Sequence, residues 1–225
     1  MPSPDLIAAA KRDLVHYGRK IAERLLVVGP GGNTSVRADD AIVVKASGVA
    51  YEDCTEEDFL PIDLETGEPL GTDRKPTCEI HMHLACFLAR PDVNAVVHTH
   101  PPVATGLGIA GKTVPPIYPD LVALVGPEVP LLPYIVPSGT ALANAVAEGI
   151  RDHNALLLRN HGLVTVGANL REAYFRNLLV EEAAKTWLAA QAAGQPYVLS
   201  PEQVQEVNQL EAEDYRRALL RGDIA

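Results

Sequence analysis

The run NAVVHTHPP, residues 94–102, constrains this chain more than any other stretch. Ala95, Val96 and Val97 predict a short buried strand, because β-branched apolar runs favour the pleated interior of a sheet. Pro101 and Pro102 end that strand, since proline cannot donate to a ladder. Residues i and i+2 of a strand share a face, so His98 and His100 project together. Two imidazoles on one face can reach one cation at about 2.0–2.1 Å each. An H-x-H pair alone is more often structural than metal-binding.

A second apolar run ends in the same way. ALLLRNHG, residues 155–162, sets His161 immediately before Gly162. If the two strands are neighbours, three imidazoles converge at one sheet end. Three protein ligands and an open fourth position form the pattern of catalytic zinc. Taken alone, His161 also reads as a turn residue bonded to backbone. TCEIHMHLACFLAR, residues 77–90, predicts a helix with Ile80, Leu84, Phe87 and Leu88 on one side. Glu79 and His83 lie four apart there, hence on one face. Glu79 reads as a fourth ligand, as a general base, or as a favourable charge at a helix N-terminus.

The glycine-rich turn GPGGN, residues 29–33, does not fit a dinucleotide fingerprint. The third glycine of that pattern would fall at Thr34, and a strand-like segment follows instead of a helix. A nest of backbone N–H groups for a smaller anion, such as one phosphate, is the functional reading. Asn33 could add an amide donor, and the KASG turn, residues 45–48, a hydroxyl and a further N–H. Two tight turns with no ligand are the alternative.

The remaining pattern sets the fold class. Residues 4–26 predict an amphipathic helix through Leu6, Ile7, Leu14, Ile21 and Leu25. VVGPGGNTSVR and AIVVKASG each carry a strand, and FLPIDLETGEPL a strand with a turn at Thr66–Gly67. VPLLPYIVP reads as extended, GTALANAVAEGIRDH as a helix, and residues 169–194 as a long helix capped by Asn169. Residues 200–222 predict one more helix, with Ser200 as N-cap and Pro201 at its first position. Strands in the middle and helices around them imply one layered α/β domain over residues 1–225. That length holds one substantial core and is short for two.

Composition narrows the function. The net charge of -10 argues against nucleic acid as the main partner, though local cations and N–H groups can still hold a small anion. The cysteines Cys54, Cys78 and Cys86 show no CxxC spacing, so neither a disulfide framework nor a zinc ribbon is expected. A reduced, cytoplasmic chain is expected instead. No run approaches the ~20 apolar residues of a membrane span, and the N-terminus lacks a leader-like apolar stretch. HExxH, PCxxC and G-x-S-x-G are all missing, which removes the corresponding protease, deaminase and hydrolase readings.

Taken in order, GGNTSVR, KASG, CEIHMH, PDVNAVVHTHPP and LLLRNHGLVTVG resemble the class II aldolase family, from about Leu6 to about Gly194. The resemblance implies a three-layer α/β/α domain with a central mixed, largely antiparallel sheet. It also implies a homotetramer with fourfold symmetry and active sites at subunit interfaces. His98, His100 and His161 match the metal-binding histidines, for Zn²⁺ with Mn²⁺ or Co²⁺ as options. Glu79 matches the acidic residue that is metal ligand or catalytic acid/base. Gly32, Asn33, Ser47, Gly48, Thr77 and Cys78 fall where relatives bind the substrate phosphate.

The implied reaction cleaves a phosphorylated ketose, such as L-fuculose 1-phosphate, to dihydroxyacetone phosphate and an aldehyde. It would pass through a metal-stabilised enediolate. A decarboxylase, dehydratase or 4-epimerase on the same metal is the alternative. Glu79, where epimerases of the family typically carry Asp, favours carbon–carbon cleavage. The intact triad disfavours a non-catalytic, adducin-like module. The chain departs from the aldolase pattern in two places. Cys78 replaces the usual second serine of the phosphate site. Pro119 falls at the position of an interface tyrosine, which leaves Tyr118 and Asp120 beside it as candidate acid/base groups. Tyr215 offers a weaker match to a tail tyrosine.

Overall fold

The computed structural model describes residues 2–224; residues 1 and 225, the ends of the expected 1–225 unit, lie outside the described residues. Seven strands form one sheet: β1 (Asn33–Ala38), β2 (Ala41–Lys45), β3 (Phe59–Asp63), β4 (Ala95–Thr99), β5 (Leu131–Leu132), β6 (Ala155–Leu158) and β7 (Gly162–Gly167). Their order is β3-β2-β1-β4-β7-β6-β5. Every pair is antiparallel except β5 with β6, so the sheet is mixed and largely antiparallel, as the resemblance implied.

Period-2 alternation splits the sheet residues between two covered faces. Ile42, Val44, Val96, Leu156, Val164 and Val166 pack with α2 (Ile80–Ala89) and α5 (Thr140–Ile150). On the other face, Val43, Ala95 and Val97 meet α1 (Pro4–Glu23) and the start of α6 (Leu170–Ala193). Leu157 and Leu163 meet α3 (Pro102–Ile109), α4 (Pro119–Leu124) and the middle of α6. Burial on both faces explains why β4, β6 and β7 read as nearly continuous apolar runs. Each fully buried Val or Leu contributes about 1.5–3 kcal/mol of transfer free energy. The three-layer α/β/α arrangement follows.

Several expectations change. The first helix ends at Glu23, short of residue 26, so Leu25 lies past its end and is exposed, and Leu88 is exposed too. The helix expected from Thr77 begins at Ile80, with Glu79 as its N-cap. The backbone before it is held otherwise: Thr77 N–H donates to the Lys45 carbonyl at 3.0 Å, and Pro76 bridges to Ala46. The single helix expected over residues 200–222 is two, α7 (Pro201–Asn208) and α8 (Glu211–Arg221), broken at an extended Leu210. Val207 of α7 packs against Val122 and Ala123 of α4, whereas α8 contacts α6 as well. The two halves follow different surfaces. Finally, α3 and α4 were not expected at all. The expected caps hold: Asn169 accepts from Glu172 N–H at 2.9 Å and Ser200 from Gln203 N–H at 3.3 Å. Among the described residues no helix is long and apolar enough to cross a membrane.

Candidate metal centre and anion cavity

The three histidines meet because β4 and β7 are neighbours. His98 pairs with Val164 and Thr99 with Leu163. His161 sits in the turn from β6 into β7, after Asn160 at φ 55°, a left-handed position that Asn tolerates. Gly162 is needed for close approach. A Cβ there would lie 2.3 Å from the Thr99 carbonyl oxygen and 2.7 Å from His100 Cδ2. The ring centroids are 4.9 Å apart for His98–His100, 4.8 Å for His98–His161 and 5.5 Å for His100–His161. One nitrogen from each ring falls within 4.8 Å of the others.

Glu79 closes this group from α2. Its Oε2 lies 3.2 Å from His98 Nε2 and its Oε1 3.1 Å from His161 Nε2. Asn33 Nδ2 donates to Oε2 at 2.9 Å. The carboxylate is 6% exposed. Burial alone would raise the Glu79 carboxyl. His98, His161 and Asn33 outweigh it and hold the group well below the usual carboxylate range.

These donors fit a divalent cation. His98 Nδ1 lies 3.0 Å from the Leu163 carbonyl, which only an Nδ1–H can satisfy. In the neutral ring its Nε2 carries a lone pair, which faces Glu79 Oε2 at 3.2 Å and His100 Nε2 at 3.1 Å. Glu79 Oε1 and His161 Nδ1 are buried without a hydrogen-bond partner among the described residues. Lone pairs crowded in this way repel unless a proton or a cation lies between them. Burial, then the neighbouring His98 and His161, pushes His100 down to about 3. It is therefore neutral near pH 7, the form in which imidazole binds metal.

An anion-sized cavity of about 250 Å³ opens beside the cluster. Gly32, Asn33, Ser47, Gly48, Thr77 and Cys78, the six residues expected at a phosphate site, all line it. Glu79, His100 and His161 line it as well, so the cluster and the cavity share walls. Gly32 adopts φ +63°, and a Cβ there would meet the His98 carbonyl oxygen at 2.9 Å. Glycine alone fits both constraints. Sequence reasoning passed over Lys45, which also lines the cavity and is 1% exposed. Its Nζ donates to the carbonyls of Pro30 at 2.9 Å and Val49 at 2.6 Å, and lies 4.6 Å from the Tyr51 ring. It thereby ties the glycine-rich loop to the loop after β2. Burial lowers its pKa.

Tyr118 and Asp120 do not join this group. Neither lines the cavity. Tyr118 caps α4 and its hydroxyl donates to the Leu179 carbonyl at 3.4 Å. Burial, with Glu182 and Asp120 nearby, pushes that phenol up to about 12. Asp120 pairs with Arg216 at 2.7 Å. Tyr215 lies exposed on α8.

Comparison with known proteins shows the family. Residues 12–188 match the model of the Class II Aldolase and Adducin N-terminal domain. A 5-deoxy-D-ribulose 1-phosphate aldolase of Bacillus thuringiensis serovar kurstaki is 32% identical over 204 residues, 90% of this chain and 95% of that one. An L-fuculose phosphate aldolase of Escherichia coli K12 is 33% identical over 177 residues, 78% of this chain and 81% of that one. Among solved structures, an L-fuculose 1-phosphate aldolase superposes with a TM-score of 0.86 at 29% identity, covering 96% of this chain and 98% of that one.

Proposed function

The chain belongs to the class II aldolase and adducin family, and on that premise we propose that it is a metal-dependent aldolase acting on a ketose 1-phosphate. The products would be dihydroxyacetone phosphate and an aldehyde. One observation carries the reading: Glu79, His100 and His161 wall both the imidazole cluster and the anion cavity. A molecule with a phosphate at one end and adjacent oxygens at the other fits that pairing. The relatives' names point the same way, to ketose phosphates.

His98, His100 and His161 would hold the ion, with Glu79 beside them; Zn²⁺ suits the donor set, and Mn²⁺ or Co²⁺ is compatible with it. When bound, the ion would supply Lewis-acid polarisation of the substrate's carbonyl and hydroxyl oxygens. Ser47 and Thr77 offer hydroxyls to the phosphate, Gly32 and Gly48 allow close backbone approach, and the Lys45 ammonium adds positive potential. Anchoring that remote end positions the reacting carbon–carbon bond. Glu79 Oε1, buried and facing His161 Nε2 at 3.1 Å, is the atom on which a proton would be taken up and returned. Tyr118 and Asp120 could act as a second acid/base group only at the cavity of a neighbouring copy. That fits a homotetramer of single-domain chains with interfacial sites. A reduced, cytoplasmic enzyme fits the cysteine usage.

Product analysis tests the reading. The protein should convert 5-deoxy-D-ribulose 1-phosphate or L-fuculose 1-phosphate to dihydroxyacetone phosphate and aldehyde. Glu79→Gln should lose roughly 10²–10⁴-fold in kcat. Appearance of CO₂, loss of water or an inverted carbon centre, without aldehyde, would replace it with another activity.

A further inference from the structure

We propose that His83 is a positioning residue that fixes the Asn33 amide and, through it, the orientation of Glu79. The inference rests on the reading of Glu79 as part of the metal centre. His83 lies on α2, one turn after Glu79, and is fully buried. It does not itself line the cavity, and it makes no hydrogen bond to His98, His100 or His161. Its Nε2 lies 2.5 Å from Asn33 Oδ1 and its Nδ1 2.6 Å from Ser35 Oγ.

The hydrogens along this chain can be assigned from one end. The Glu79 carboxylate only accepts, so Asn33 must present its NH₂ to Oε2 at 2.9 Å. Asn33 Oδ1 then faces His83, and only an Nε2–H can satisfy it. Burial pushes His83 down to about 3, so the neutral ring has one proton to place. With that proton on Nε2, Nδ1 must accept, and the Ser35 hydroxyl donates to it. Ser35, His83, Asn33 and Glu79 therefore form a chain in which every bond donates towards the carboxylate. Such one-directional chains polarise and strengthen their members. The opposite His83 tautomer would turn the Asn33 amide over and set Oδ1 against Oε2, two acceptors in contact.

Outer partners of metal ligands typically change affinity by about 10–100-fold when removed. His83→Leu should therefore weaken Zn²⁺ binding at least about tenfold in chelator competition. His83→Gln can set an NH₂ where Nε2 stood, and should bring affinity back to within about threefold. A merely space-filling role predicts the reverse order, since Leu fills the apolar helix face better than Gln does.

Long-range ¹H–¹⁵N spectra of the metal-free native protein give a second reading that needs no variant to fold. They should show His83 protonated at Nε2 and bare at Nδ1. A proton on Nδ1, or equal Zn²⁺ affinity in folded His83→Leu and native protein, would overturn the inference. Native protein that binds no Zn²⁺ would sink the metal reading instead, while the tautomer would still decide the positioning chain.

Discussion

Thr99 Oγ1 donates to Asn177 Oδ1 at 2.7 Å, on the face of β4 opposite His98 and His100. Asn177 Nδ2 in turn donates to Thr165 Oγ1 of β7 at 3.3 Å. All three side chains are fully buried. One α6 residue thus joins the two strands whose ends bring the histidines together. Asn177→Leu would leave the Thr99 hydroxyl stranded and weaken the junction. A loss of about 1–3 kcal/mol is expected in urea denaturation, because a buried polar group without a partner costs its full desolvation.

Gly162 gives a sharper steric prediction. A methyl group at that position must displace the Thr99 carbonyl or the His100 ring. Gly162→Ala should cost about 3 kcal/mol of stability, at the upper end of overpacking effects. It should also weaken metal binding, whereas Gly106→Ala, where nothing lies within 4 Å, should leave metal affinity unchanged. Paired isothermal titrations with Zn²⁺ check both outcomes.

Cys78 lines the cavity beside the imidazole cluster, and a thiol donates a hydrogen bond poorly. Cys78→Ser should strengthen phosphate binding by about 1 kcal/mol, near fivefold in KM, with kcat little changed. Steady-state kinetics on a ketose 1-phosphate give the comparison. An unchanged KM would mean that position 78 does not touch the phosphate.

His83 also predicts a pH effect on the metal-free protein. Its ordinary value near 6.5 falls to about 3 in the folded chain because burial disfavours the charged ring. Between those values the unfolded chain binds the extra proton. The contribution to stability is therefore complete above pH 6.5 and is lost as pH falls towards 3. The slope is about 1.4 kcal/mol per pH unit for one proton. Urea denaturation at pH 7 and pH 5 should show that loss in native protein and a smaller one in His83→Gln.

Much of this site was legible because its signals are local. Apolar runs that end in His-Thr-His-Pro-Pro and His-Gly mark two strand ends, and sheet pairing does the rest. The cavity loops announced themselves by glycines, of which Gly29, Gly32 and Gly48 adopt positive φ. The helices α3 and α4 left no such mark: PVATGLGI is apolar but for Thr105, with two glycines, so no amphipathic period exists to read. The break at Leu210 has no glycine or proline, and tertiary packing alone sets it. Lys45 was hidden for a related reason. A lysine in a turn normally reads as solvated, and only the fold turns it inward onto the Pro30 and Val49 carbonyls.

The most direct test of the central claim is dihydroxyacetone phosphate release from 5-deoxy-D-ribulose 1-phosphate and L-fuculose 1-phosphate, before and after chelation. Release that disappears on stripping and returns with Zn²⁺ is the predicted result. Protein that retains bound metal and releases no dihydroxyacetone phosphate from either substrate would contradict it.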